Sequence, residues 1–339
     1  MKKETLIDTG RLPQSDHTWL VAVRPARIWL RPKDRDPYRP FQMLVLDVDS
    51  DCIRESEIFE HRPDFDAVRS RLFKAMIEPA KGSGKPMRPA RMVFDDVAAI
   101  RASKILLAEI GVECEYREES PIIDAVIRDF EKFVKKRDLR PSLLEVRGIS
   151  LRLLEELFSA AAYFYDQAPW RRVDDECPME IRFPADGPPR YAVVMGNAKI
   201  QFGVAFFPSL KDVRIQYSDG KAKDIYRRMT TWSLTYDEPS LMSFDDLEAI
   251  EKCDWPIPSP KAYPLFLKSS PRKQFEIPKV EEILFTAAAL RAIPPFAAGL
   301  KIDDSGILSP SRDAYRLSGI YDGAEILLDF PAGLWDDQN

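Results

Sequence analysis

The succession of apolar patterns between Thr18 and Val134 constrains this chain more than any single motif. Extended runs come first. "TWLVAV" and "ARIWL" read as strands, and "FQMLVLDV" and "CIRESEIF" flank Asp49-Ser50-Asp51, whose short polar side chains predict a hairpin turn. Then the pattern turns helical. "DFDAVRSRLFKAMI" carries Phe65, Val68, Leu72 and Met76 on one face, with Asp64 as N-cap and Pro79 as stop. A buried strand "ARMVFDD" follows, then a helix with Val97, Ile100, Leu107 and Ile110 on one face, closed by Gly111. The strand "VECEY" comes next, and Ser120-Pro121 opens a helix with Ile123, Ile127, Phe130 and Val134 on one stripe. Antiparallel strands followed by helix–strand alternation predict an α/β domain, a mixed sheet with flanking helices.

The second half has a different rhythm. A helix from Ser150 to Asp166 presents Leu151, Leu154, Phe158, Ala161 and Tyr165 on one face, and Pro169-Trp170 breaks it. "MEIRF", "YAVVM" and "IQFGVAFF" read as strands. Ser243 with Asp246 predicts a capped short helix from Phe244 to Lys252, and Pro278 opens another through Val280, Leu284 and Ala287. "AYRLSGIYDGAEILLDF" reads as a closing hairpin around Tyr321-Asp322-Gly323. A chain of 339 residues exceeds one typical domain. We therefore expect two, residues 1–143 (α/β) and residues 144–339 (α+β, an antiparallel sheet with helices).

Several chemistries are excluded by what the chain lacks. Cys52, Cys114, Cys177 and Cys253 lie far apart with no C-x-x-C pair, which argues against a zinc knuckle and suits reduced cytoplasmic thiols. The first residues carry no signal-peptide apolar run, and no stretch approaches a membrane span. The net charge of -5 does not point to nucleic acid. Residues Arg24 to Arg39 hold six basic and two acidic side chains, and a solvated face is the expectation there. This leaves nucleic acid and a protein partner both open. His17 and His61 are the only histidines, and neither G-x-S-x-G nor H-E-x-x-H occurs.

Candidate motifs reduce to local structure on inspection. Gly196-Asn197-Ala198-Lys199 lies between two strands, whereas a phosphate cradle needs a helix after its glycines, so a turn is expected. "KGSGKP" from Lys81 to Pro86 follows a helix and precedes a strand, the reverse of a P-loop, and reads as a flexible connector. Asp47, Asp49 and Asp51 begin like an EF-hand loop, but Cys52 replaces its glycine and Ile58 its final glutamate. The sharpest pattern is carboxylates at strand ends. Asp47 closes one strand, Asp95 and Asp96 another, and Asp124 and Asp129 follow on a helix. Converging carboxylates of this kind could hold divalent ions for phosphoryl transfer. Against that, the first strands contain no carboxylate, and Asp95 and Asp96 suit helix capping.

The order of elements in the first half is that of the ribonuclease H-like fold. "RPARMVFDDVAAIRASKILLAEIGVECEY", "APWRRVDD", "YAVVMGNAKIQFGVAFF" and "SFDDLEAIEKCDWPIPSPKAYP" together resemble a bacterial domain-of-unknown-function family. Some of its members add a C-terminal SEC-C motif that "FPAGLWDDQN" does not contain. The resemblance implies no catalytic residues. The first block also resembles the integrase and transposase stretch that begins at the second catalytic aspartate, but Asp96-Val97 follow Asp95 here, which implies a fold relative whose catalysis has been lost.

The leading expectation is a non-catalytic binding or interaction module without a cofactor. One alternative is a nuclease or phosphoryl-transfer enzyme using Asp47, Asp95 and Asp129, with Mg²⁺ or Mn²⁺ on Asp47 and Asp95. Another is a small-ligand sensor using Trp170, Tyr191 and Lys199.

Overall fold

The computed structural model describes residues 8–134, 140–173, 175–218, 224–225, 227–302 and 308–332. The end of the first half at 135–139 and the tail from Gly333 lie outside them. The chain forms two compact units, Met1–Asp138 and Leu139–Asn339.

In the first unit the elements run β1 (Thr18–Pro25), β2 (Phe41–Asp47), β3 (Cys52–Phe59), α1 (Phe65–Ile77), β4 (Arg91–Phe94), α2 (Val97–Glu109), β5 (Glu113–Tyr116) and α3 (Pro121–Val134). They build a mixed sheet of order β3-β2-β1-β4-β5. β1, β2 and β3 are antiparallel, and β4 and β5 continue parallel to β1. This is the ribonuclease H-like arrangement that the order of elements implied. Both faces of β1 are buried, which explains its unbroken apolar run. Trwo residues apart along the strand, side chains return to the same face. Trp19, Val21 and Val23 face Val68, Leu72 and Met76 of α1 and Leu107 of α2, while Leu20 and Ala22 face Ile123 and Ile127 of α3. Asp64 and Asp96 cap α1 and α2 through the Ala67 and Ala99 amides. "ARIWL" is not a strand. β1 ends at Pro25, and only Leu30 bridges back, to Tyr38. Proline removes the amide that would carry the ladder further.

The second unit contains α4 (Leu151–Gln167), β6 (Met179–Arg182), β7 (Pro189–Met195), β8 (Gly203–Phe207), α5 (Leu210–Gln216), β9 (Thr231–Asp237), α6 (Phe244–Cys253), β10 (Tyr263–Ser269), α7 (Val280–Gly299), β11 (Ser311–Arg316) and β12 (Glu325–Phe330). Its seven strands form one antiparallel sheet of order β10-β9-β8-β7-β6-β12-β11. α4 and α7 pack together over one face. There Phe206 and Trp232 meet Phe285, the Trp232 Nε1 donates to Thr286 Oγ1 at 3.1 Å, and the Tyr236 hydroxyl donates to Ala161 O at 2.6 Å. Because β9 alternates, Thr231, Ser233, Thr235 and Asp237 lie on the opposite face. No helix among the described residues is long and apolar enough to cross a membrane.

Candidate functional site

β2 runs against β1 and β4 runs with it, so the C-terminal ends of β2 and β4 lie at opposite ends of the sheet. Asp47 pairs with Trp19, near the start of β1. Asp95 follows Phe94, the partner of Val21, and accepts from the Val23 amide at 3.1 Å. Four strand residues separate these levels, roughly 13 Å. The structure does not bring Asp47 and Asp95 together.

Asp47 is fully buried and meets a residue that the motif reading passed over. His17 Nδ1 lies 2.9 Å from its Oδ2 and 3.1 Å from its Oδ1, and the Asp49 amide donates to Oδ1 at 3.2 Å. Burial pushes the Asp47 carboxyl up, but the hydrogen bonds from His17 and Ser50 and the His17 charge outweigh it and hold the group below its ordinary value. The same hydrogen bond raises His17 above its ordinary value against the opposing effect of burial. His17, Asp47 and Asp49 offer ligand atoms within 4.8 Å of one another, an arrangement that could accept a cation. Each aspartate already has protein donors, since Asp49 Oδ2 accepts from the Thr18 amide at 2.7 Å. The signal for His17 was its place one residue before β1, where an antiparallel β2 must end.

At the other end of the sheet Arg24 holds Asp95. Its Nε and Nη2 both donate to Asp95 Oδ2, at 2.8 Å and 2.5 Å, and its Nη1 donates to Asp124 Oδ1 at 2.6 Å. Burial would lower the Arg24 guanidinium, but Asp95 and Asp124 raise it and keep it charged. Burial pushes Asp95 above its ordinary value, against the pull of Arg24 and the Val23 amide. A cation fixed to the chain thus stands between two carboxylates. Asp129 is exposed further along α3. Much of the basic stretch is engaged internally: Arg27 pairs with Glu131 at 3.1 Å, Arg35 with Glu60, and Arg39 Nε donates to Ala26 O at 2.6 Å.

The Lys81–Pro86 loop is not the loose connector its glycines suggested. Arg54, fully buried on β3, donates to Ser83 O at 2.6 Å, Lys85 O at 2.9 Å and Ala75 O at 3.3 Å. The loop turns carbonyls toward a cation, whereas a phosphate cradle turns amides toward an anion.

In the second unit Gly196–Lys199 is a turn, with the Lys199 amide donating to Gly196 O at 3.1 Å and Lys199 in the left-handed region at φ 58°. Trp170 is a core plug. It packs on Phe164, Tyr165, Phe202 and Tyr236, and a Cβ on Gly196 would lie 2.6 Å from its ring. Tyr191 lies across the sheet from it, in a small core with Val193, Phe207 and Val213. Its hydroxyl is hydrogen-bonded to Glu180, and burial raises its pKa. Trp170, Tyr191 and Lys199 therefore do not form one pocket.

A groove of about 1010 Å³ lies instead on the sheet face away from α4 and α7. Met195, Ala205, Ser233, Thr235, Asp237 and Leu267 contribute to its floor and walls. Thr235 is 6% exposed, and its hydroxyl has no hydrogen-bond partner among the described residues. The signal is present in "TWSLTYD", where apolar and hydroxylic residues alternate as in a strand with one polar face.

Residues 7–131 match the family model described as Domain of unknown function (DUF6930), and residues 155–312 match Domain of unknown function (DUF7309). Both are domains of unknown function, as the resemblance implied. No curated protein matches the chain. Similar solved structures include a chain of the simian T-cell lymphotropic virus intasome in complex with PP2A regulatory subunit B56 gamma, at 11% identity and TM-score 0.26 over 38% of this chain and 44% of that one. The match thus spans less than half of that chain's length. The HTLV-2 integrase catalytic core domain in complex with magnesium is similar in its trimeric form at 12% identity and TM-score 0.26, over 38% of this chain and 79% of that one. Its dimeric form is similar at 14% identity and TM-score 0.25, over 42% and 80%.

Proposed function

We propose that this chain, built from two domains of unknown function, is a non-catalytic binding module whose sheet-end carboxylates serve the fold. The observation that carries this reading is Arg24, whose guanidinium bonds Asp95 and Asp124 together. Two-ion phosphoryl transfer needs carboxylates that converge on metals about 4 Å apart. Here a side chain supplies the neutralising charge, and Asp47 belongs to the far end of the sheet. A cytoplasmic setting is part of the same proposal and suits four cysteines carried as free thiols.

The test is cleavage of labelled DNA and RNA with Mg²⁺ or Mn²⁺, for wild type and Asp95→Asn. The expected outcome is no cleavage by either protein. Metal-dependent cleavage by wild type that Asp95→Asn abolishes would return the nuclease reading.

A further inference from the structure

We propose that the groove on the second unit's open sheet face binds a small molecule with an amine at one end and an apolar body. The inference rests on the binding-module reading and gives it a site and a ligand class. Cleavage assays test that reading, and ligand binding tests this one.

Three features carry it. First, about 1010 Å³ is ample for a metabolite-sized ligand. Gly203 stands between Met195 and Thr235 in the register of β7, β8 and β9, so the middle strand puts no side chain on the floor at that level. Second, the floor is divided. Met195, Ala205 and Leu267 give an apolar bed, while Ser233 and Thr235 run through it as a hydroxyl row. Core-facing positions of a sheet are usually apolar, and a buried hydroxyl without a partner is a cost the fold alone does not explain. Rotation about χ1 carries the Thr235 hydroxyl to another staggered position, from which it can be offered to a ligand in the groove. Third, Asp237 continues the row at one end. Its Oδ2 accepts from Gln201 Nε2 at 3.3 Å, a long hydrogen bond from a neutral donor that leaves the carboxylate with capacity for a stronger one. An ammonium group supplies that donor.

The full-length protein would be titrated with tyramine, tryptamine and 3-methylbutylamine, each matched with its carboxylate counterpart: 4-hydroxyphenylacetate, indole-3-acetate and 4-methylpentanoate. Saturation-transfer NMR gives the affinities. We expect at least one amine to bind with Kd below about 10 mM and its carboxylate counterpart to bind at least about tenfold more weakly. Asp237→Asn should weaken the amine about tenfold or more, because it removes the charge from the hydrogen bond. Ser233→Leu, which fills the groove from a half-buried position, should abolish binding and serves if Asp237→Asn fails to fold. The proposal is overturned if no amine binds at that concentration, if the carboxylates bind as well as the amines, or if a folded Asp237→Asn or Ser233→Leu protein keeps wild-type affinity.

Discussion

The Thr235 hydroxyl is buried and has no hydrogen-bond partner among the described residues. Such a group costs about 1–3 kcal/mol when left unmade, so Thr235→Val should raise the unfolding free energy by about 1 kcal/mol while impairing the groove. Urea titration decides this, and a lower midpoint would mean that the hydroxyl is bonded in solution. His17 and Asp47 make an opposite case, a pair whose charges support the fold. His17 is raised above 6.5, so its contribution is complete below that pH and is lost as pH rises through the raised value. Asp47 is lowered below 3.8, so its contribution is complete above that pH and is lost as pH falls through the lowered value. The stability difference between wild type and His17→Gln should therefore be largest between these limits and shrink on both sides. A difference that stays flat from acid to alkaline pH would count against the pair. Caps such as Asp64 and Asp96 were legible in the sequence because partner and residue lie within one turn. The partner of Asp47 was not, because thirty residues separate it from His17 and only the strand register joins them. Asp246 falls between these cases. Its amide is capped by Ser243, but its carboxylate accepts from Ser142 Oγ at 2.7 Å, a contact no local pattern announces.

At the scale of elements, the β7–β8 hairpin shows what alternation can mislead. Ile200 and Phe202 continue the apolar rhythm of the strand, yet β8 begins only at Gly203, and Ile200 is 87% exposed. Gly203 has φ 144°, and a Cβ there would lie 2.2 Å from Leu234 O. β8 thus meets β9 through a close backbone approach that pattern alone does not reveal. Gly203→Ala would combine left-handed strain with that collision, and we expect a loss of more than about 3 kcal/mol, read from denaturant melts. A change below about 1 kcal/mol would show that β8 and β9 can separate cheaply. "ARIWL" misled for a related reason, since its apolar content was legible but its lack of a strand partner was not.

For the whole molecule, the topology of the first unit was readable because each helix–strand change leaves few ways to place the next strand. The second was less readable because β9 carries polar residues on the groove face, which weakens the strand signal where the site lies. Each unit has its own buried core, so residues 1–138 and 139–339 expressed separately should each melt cooperatively. Far-UV circular dichroism would check this, and a fragment without a transition would show dependence on its companion. Arg24 has a consequence of another kind. A cation joined to the backbone cannot be diluted, chelated or exchanged, so the acidic end of the first sheet takes its counter-charge from ribosomal synthesis rather than from the surrounding ion pool. That region should keep the same protection against hydrogen exchange in metal-starved and metal-replete cells.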